Sequence, residues 1–241
     1  MEALTKALQG QDAVVSTIGN EAQLGQTALF DAAIAAGVKR FLPSEFGSDL
    51  INPKSASLPV FGGKVAFRKH IEEKVKAGAD ITYTYVVTGG FLDWGIEVGF
   101  LFGWQEGKPR MYDGGDVPFS TTTVASVGQA TVGVLSHYEE TKNRQVCVND
   151  TVITQNKLLA IAKKVAPEKE WNPVPIKTSD LYEAANAGLA KGDYSVMMNY
   201  IFVAIFGDGY GGKFEHVDNE LLGIPGKTEA DIEAVFKKVL A

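Results

Sequence analysis

The sequence is poor in the residues that build disulfides and metal sites. Its 241 residues include one cysteine, Cys147, and three histidines, His70, His137 and His216. A single cysteine excludes an internal disulfide and a multi-cysteine zinc site, and the histidines do not have the spacing of an HExxH helix. We therefore expect no metal cofactor, and the low cysteine content fits a reducing compartment such as the cytoplasm.

Clusters of basic residues and long apolar runs are also lacking. The 23 Lys and Arg residues are outnumbered by 29 Asp and Glu residues, which gives a net charge of −6. This balance argues against binding to a nucleic-acid backbone. The most apolar stretch, 196–206, has about half the length that a membrane span needs, and the first residues lack the apolar region of a signal peptide. We expect neither nucleic acid nor membrane as a partner and leave a homodimer open.

The chain does contain a regular alternation of apolar strands and amphipathic helices. Short apolar runs typical of buried parallel strands lie at 12–19, 38–43 and 81–87. Helical spacing of small and apolar residues predicts helices between them, at 22–36 and 62–77. Alternation without hairpin turns predicts an α/β fold, a parallel sheet with helices on both faces.

After residue 90 the pattern loosens and becomes richer in helices. We predict that 91–241 supplies the remaining strands and a smaller α-rich substrate-binding subdomain, packed with 1–90 into one compact unit. Residues 44–61 are expected to form a long loop, a place where function often lies. Ser179 or Asp180 is expected to cap a later helix.

Ligands of an open parallel sheet bind beyond the carboxyl ends of its strands. The segments at those ends are 16–20, 43–47 and 87–91. They carry small and hydroxyl side chains and free backbone amides, which suit the ribose, phosphates and carboxamide of a nucleotide. Ordinary strand-end turns remain the alternative.

Two literal motif matches are placed wrongly for their usual roles. Residues 207–212 fit GxGxxG, but no amphipathic helix or acidic ribose ligand follows them. Tyr138 and Lys142 fit the YxxxK pattern of short-chain dehydrogenases but lie two elements after the third strand. We interpret Tyr138 and Lys142 as an exposed helix end.

The helix at the correct place in the topology, 62–77, offers Lys64 near its first turn. The positive end of the helix dipole and partial burial both lower a lysine pKa, which suits proton exchange with a substrate hydroxyl. Arg68 lies at i+4 on the same face and could pair with a phosphate. Solvated helix residues are the alternative for both.

Aromatic residues near the third strand end are candidates for stacking on a substrate. Phe91 is the best placed, and Trp94, Phe100, Phe102 and Trp104 follow it. Apolar residues at this density also form cores or lids, and that alternative stays open.

Taken together, these segments resemble the isoflavone-reductase-like branch of the NmrA-like family, atypical members of the short-chain dehydrogenase/reductase superfamily. The resemblance is carried by four segments: DAVVSTIG (12–19), GVKRFLPSEFG (37–47), GGKVAFRKHIE (62–72) and ITYTYVVTGGF (81–91). It implies a Rossmann-like fold, truncated at its N-terminus, with NADPH as cofactor. It also implies a small phenolic or related secondary metabolite as substrate, and Lys64 as the catalytic acid/base. The cofactor site that it implies comprises Thr17, Gly19, Pro43, Ser44, Lys64, Arg68, Thr88 and Phe91.

The sequence departs from the family pattern at the start of the chain. Full-length relatives begin with a GxxGxxG segment, and Met1 stands just before what would be their fourth strand. At ~30 residues per βαβ unit, roughly 65–70 residues would be absent. An NADPH-dependent reductase is therefore weighed against an NAD(P)-sensing regulator without turnover and a truncated remnant with weak cofactor binding.

Overall fold

The computed structural model describes residues 1–19, 22–23 and 25–240. Asn20, the last residue of the first strand-end segment, and Leu24, within 22–36, lie outside the described residues. The helices are α1 (Glu2–Leu8), α2 (Gly25–Ala36), α3 (Pro53–Ala56), α4 (Gly62–Lys76), α5 (Leu92–Glu97), α6 (Val124–Ser136), α7 (Tyr138–Thr141), α8 (Gln155–Val165), α9 (Thr178–Leu189), α10 (Met197–Phe206), α11 (Asn219–Leu222) and α12 (Glu229–Leu240). The strands are β1 (Ala13–Val15), β2 (Arg40–Leu42), β3 (Thr82–Val87), β4 (Gly90–Phe91), β5 (Arg110–Tyr112), β6 (Phe119–Thr122), β7 (Arg144–Cys147), β8 (Thr151–Ile153) and β9 (Val174–Ile176).

The main sheet has four parallel strands in the order β1-β2-β3-β7. The three strands predicted from apolar runs are its first three members, so the predicted parallel α/β fold is confirmed. β7 comes from the chain after residue 90, so the sheet draws on both predicted segments. The boundary at residue 90 stays a prediction.

Helices cover both faces of the sheet, as the alternation of side chains along the strands requires. Phe41 and Tyr85 point to one face and pack in a cluster with Phe30 of α2 and Phe67 of α4. The next residue of each strand points to the other face, where Leu42 and Val86 pack with Ala130 and Val134 of α6. The strands are thus buried on both sides, which explains their continuous apolar sequence.

The second half departs from an all-parallel arrangement. β6 pairs in parallel with β4 but antiparallel with β8, although no hairpin turn links β6 and β8. The sequence gives only a weak indication of the antiparallel strand β6, because Phe119–Thr122 is buried at all four positions and shows no alternation of buried and exposed residues. A separate two-stranded sheet joins β5 to β9.

Two local predictions were wrong. Residues 44–61 contain the short helix α3 and a 3-10 turn at Pro59–Phe61; both begin with proline, which lacks the amide that a helix start leaves unpaired. Neither Ser179 nor Asp180 caps α9, which begins at Thr178 instead. The Thr178 amide donates to the carboxylate of Asp113 at 2.9 Å, so the cap comes from a distant loop.

Candidate active site

A groove lies at the carboxyl ends of β1 and β2 and encloses about 570 Å³. We call it the strand-end groove. Five of the eight residues predicted for the cofactor site line it: Thr17, Gly19, Ser44, Lys64 and Phe91. The described residues of the segments 16–20, 43–47 and 87–91 therefore do meet at one edge of the sheet, as parallel strands dictate.

A second, smaller cavity of about 190 Å³ adjoins the groove and is mainly apolar. We call it the aromatic pocket; its walls include Phe46, Phe61, Phe91, Trp94, Phe100 and Ile205. Phe46, Lys64 and Phe91 line both cavities. Lys64 thus reaches both spaces.

Lys64 lies in the first turn of α4, and its ammonium donates a hydrogen bond to the backbone carbonyl of Glu45 at 2.7 Å. An ammonium carries three donors, and the described residues provide this one acceptor. Burial lowers the pKa of Lys64; the carboxylate of Glu45 opposes that shift and Arg68 adds to it. Lys64 is half-buried and lines two cavities, and its remaining N–H donors are not engaged by the described residues, so it is suited to proton transfer.

Arg68, one turn along α4, is engaged inside the protein. It forms an ion pair with Glu45 at 2.7 Å, with the two side chains 9% and 2% exposed. It also donates to Gln145 at 3.0 Å, and its guanidinium lies 4.3 Å from the ring centre of Tyr85. Arg68 lines neither cavity, and its contact with a cofactor phosphate stays a prediction.

Pro43 and Thr88 also lie behind the groove wall. The Pro43 carbonyl accepts from the Glu45 amide at 2.7 Å. Thr88 is fully buried, and its carbonyl accepts from the Thr122 hydroxyl at 2.6 Å. Both residues shape the backbone at the strand ends; direct cofactor contacts stay predictions for them.

One wall of the groove was missed by the sequence analysis. Val124, Val127, Gly128 and Thr131 of α6 line it. The available signal was the composition of α6, which has no charged residue although part of it faces outward. Val124 is 49% exposed, and two further apolar residues of the same helix are also exposed, Val132 at 63% and Leu135 at 40%.

The GxGxxG match is explained by local packing. The loop follows helix α10 rather than a strand, and α10 ends at Phe206. A Cβ added to Gly212 would lie 2.0 Å from the carbonyl oxygen of Ile205, and one on Gly207 would lie 2.5 Å from that of Val203. Close backbone approach therefore explains why glycine is required at Gly207 and Gly212.

The four aromatic residues after Phe91 divide between the two alternatives. Trp94 and Phe100 line the aromatic pocket, with ring centres 5.8 Å apart. Phe102 is fully buried in the core, and the Trp104 indole donates to the Ile96 carbonyl at 2.8 Å. Sequence density alone could not separate the pocket pair from the core pair.

Within the described residues there is no group of three or more His, Cys, Asp or Glu side chains arranged to hold a metal ion. No helix in the described part of the chain combines the length and apolar character needed to cross a membrane.

Comparison with known proteins agrees with this architecture. The chain is 31% identical over 248 aligned residues to the oxidoreductase poxI of Penicillium oxalicum, covering 98% of this chain and 77% of that protein. Over 94 residues, 37% of this chain and 28% of the relative, it is 46% identical to the isoflavone reductase homolog P3 of Arabidopsis thaliana. The solved structure of AtPrR2 with NADP+ and (+)pinoresinol superposes with a TM-score of 0.76 at 25% identity, covering 99% of this chain and 78% of that one.

The model of the NmrA-like family matches residues 1–187, more than three quarters of the chain. The matched region includes the four segments that carried the resemblance. The chain belongs to the NmrA-like family, in its isoflavone-reductase-like branch.

Proposed function

We propose that this protein is an NADPH-dependent reductase of a small aromatic substrate, a phenolic or a related secondary metabolite. The observation that carries the proposal is the position of Lys64, whose side chain lines both the strand-end groove and the aromatic pocket. A proton donor between a cofactor space and a substrate space is what a reductase needs. The named oxidoreductase and isoflavone reductase relatives support the same reaction class.

The residues of the groove fit the nicotinamide and ribose half of the cofactor. Val15, Ile18 and Phe91 offer apolar surface for a ring, and Thr17 and Ser44 offer polar groups beside it. A Cβ placed on Gly19 or Gly128 would meet no atom within 4 Å, so the backbone is open to a ligand at those points. For the phosphates the groove-lining residues present one cation, Lys64.

Bound NADPH supplies a hydride for an electron-poor carbon of the substrate. Lys64 moves the proton at the neighbouring substrate oxygen, and the Glu45 carbonyl holds its ammonium in place. Phe46 and Phe91 border both spaces and limit the access of water between them. Trp94 and Phe100 give the substrate ring an aromatic surface.

The test uses the full 241-residue chain. NADPH binding is measured by calorimetry, and transfer of deuterium from 4-deuterated NADPH is followed with a panel of phenolic substrates. We expect binding and transfer, with turnover lowered about 10²- to 10⁴-fold by Lys64→Ala. Lys69→Ala, on the exposed side of the same helix, is the matched control.

Turnover unchanged in Lys64→Ala would refute the assigned role of that lysine. Binding without any transfer would favour an NAD(P)-sensing regulator instead, and no binding would favour a cofactor-free remnant. A cytoplasmic location and a homodimer also remain predictions.

A further inference from the structure

We propose that the buried Glu45–Arg68 pair is a positioning element for Lys64, and that Arg68 acts through this pair rather than as a cofactor ligand. The inference rests on the proposed function, because it gives the acid/base Lys64 its fixed place between the two cavities. Two contacts carry it, and the Glu45 residue links them: Arg68 pairs with the Glu45 carboxylate, and the Glu45 carbonyl accepts from Lys64.

The acceptor of Lys64 belongs to a tight and strained turn. The Glu45 amide donates to the Pro43 carbonyl at 2.7 Å, which closes a three-residue turn directly after β2. Phe46, the next residue, has φ of 27°, a region that a phenylalanine rarely adopts. Such backbone persists only where surrounding contacts hold it, so the direction of the Glu45 carbonyl depends on what anchors its side chain.

Arg68 is that anchor. Its guanidinium donates through one nitrogen to Glu45 at 2.7 Å and through the other to Gln145 of β7 at 3.0 Å. It is stacked on Tyr85 of β3, whose hydroxyl donates to the Arg68 carbonyl at 3.3 Å. The planar guanidinium of Arg68 contacts both β3 and β7, so it fixes the turn at Glu45 more rigidly than the ammonium of a lysine could.

The same pair governs the electrostatics of Lys64. Glu45 comes from the turn after β2, and Arg68 lies four residues along α4 from Lys64, on the same face. Among the described residues that line the two cavities, Glu45 is the sole ionisable neighbour of Lys64. Removing the charge of Glu45 and removing the charge of Arg68 should therefore shift the Lys64 pKa in opposite directions.

The test measures the Lys64 pKa directly, with no substrate. Lysines of the intact protein are ¹³C-methylated and titrated by NMR across the alkaline range, and Lys64→Arg identifies the signal. Relative to wild type, Glu45→Gln should lower the Lys64 pKa because Arg68 remains unbalanced. Arg68→Met should raise it, and the double variant should fall between the two single variants.

Lys69→Met is the control. Lys69 follows Arg68 in the sequence but lies on the exposed face of α4, so removing its charge should leave the Lys64 pKa unchanged. The double variant buries no unpaired charge, so it also serves if a single variant fails to fold. Shifts of the same sign, or no shift in any folded variant, would overturn the proposal. A purely structural role would not give shifts of opposite sign.

Turnover then separates this inference from the proposed function. Arg68→Lys keeps the charge but loses the fork, and we expect it to reduce kcat about 10- to 100-fold while the KM for NADPH stays within about twofold. A rise in KM with unchanged kcat would make Arg68 a cofactor ligand and refute the positioning role. If the wild type has no turnover, the proposed function fails, and the opposite pKa shifts still decide the positioning role.

Discussion

Two buried arginines lie at opposite ends of the main sheet and have different kinds of partners. Arg40, at the start of β2, donates to the Thr84 hydroxyl at 2.6 Å, the Thr141 hydroxyl at 3.1 Å and the Tyr138 carbonyl at 2.6 Å. It lies over the Tyr138 ring, 4.1 Å from the ring centre. Arg68, at the carboxyl end, has a carboxylate partner in Glu45.

The partners indicate different roles: Arg40 stabilises the fold, whereas Arg68 belongs to the candidate site. Arg40 connects β2, β3 and α7 through neutral acceptors, and burial lowers its pKa. Arg68 introduces a balanced pair of charges close to Lys64. We infer that the amino-terminal end of the sheet is built for stability, and that its carboxyl end carries strain and buried charge for function.

The largest expected effect on stability is at Arg68. Arg68→Met leaves the Glu45 carboxylate buried without a partner, and we expect a loss of about 3–5 kcal/mol in the free energy of unfolding. Glu45→Gln combined with Arg68→Met removes both charges and should recover most of that loss. Urea denaturation of the three variants measures both values, and a double variant as unstable as Arg68→Met would contradict this reading.

Arg40→Met should have the second largest effect, a loss of about 2–3 kcal/mol. The substitution removes charge-assisted hydrogen bonds but leaves no opposite charge unpaired, so the cost stays below that of Arg68→Met. The Lys64 pKa should not change, because Arg40 lies at the other end of the strands. A shifted Lys64 signal in Arg40→Met would break the proposed separation of the two ends.

The sequence predicted the sheet better than the site because period and spacing are local signals. Apolar runs placed β1, β2 and β3, and their shared carboxyl edge brought Thr17, Ser44 and Phe91 together. Partners from distant segments leave no local signal. Gln145, a partner of Arg68, lies 77 residues from it in the sequence. The groove wall formed by α6 comes from the face of the sheet opposite to α2 and α4.

Lys64→Met should make the protein more stable, by about 1 kcal/mol at neutral pH, while it abolishes proton transfer. Burial lowers the Lys64 pKa, so the folded chain binds that proton less tightly than the unfolded chain does. Wild-type stability relative to Lys64→Met should therefore fall as the pH drops below 10.5, the ordinary lysine value, and level off below the folded pKa. Thermal unfolding of both proteins across that range measures the difference; a gap independent of pH would contradict it.

Tyr138→Phe should have the smallest effect on stability, and it tests whether the YxxxK match beside Arg40 has a catalytic role. The variant keeps the ring over Arg40 and removes a hydroxyl that lies 3.1 Å from Thr82 at the exposed end of the sheet, so stability should change by no more than about 0.5 kcal/mol. Lys142, the other half of the YxxxK match, pairs with Glu139 on the surface, and Lys142→Met should be equally mild. If the motif were catalytic, either change would lower turnover as strongly as we expect Lys64→Ala to do. Retained turnover in both variants would place the acid/base chemistry at the carboxyl end of the sheet, where Lys64 borders both cavities.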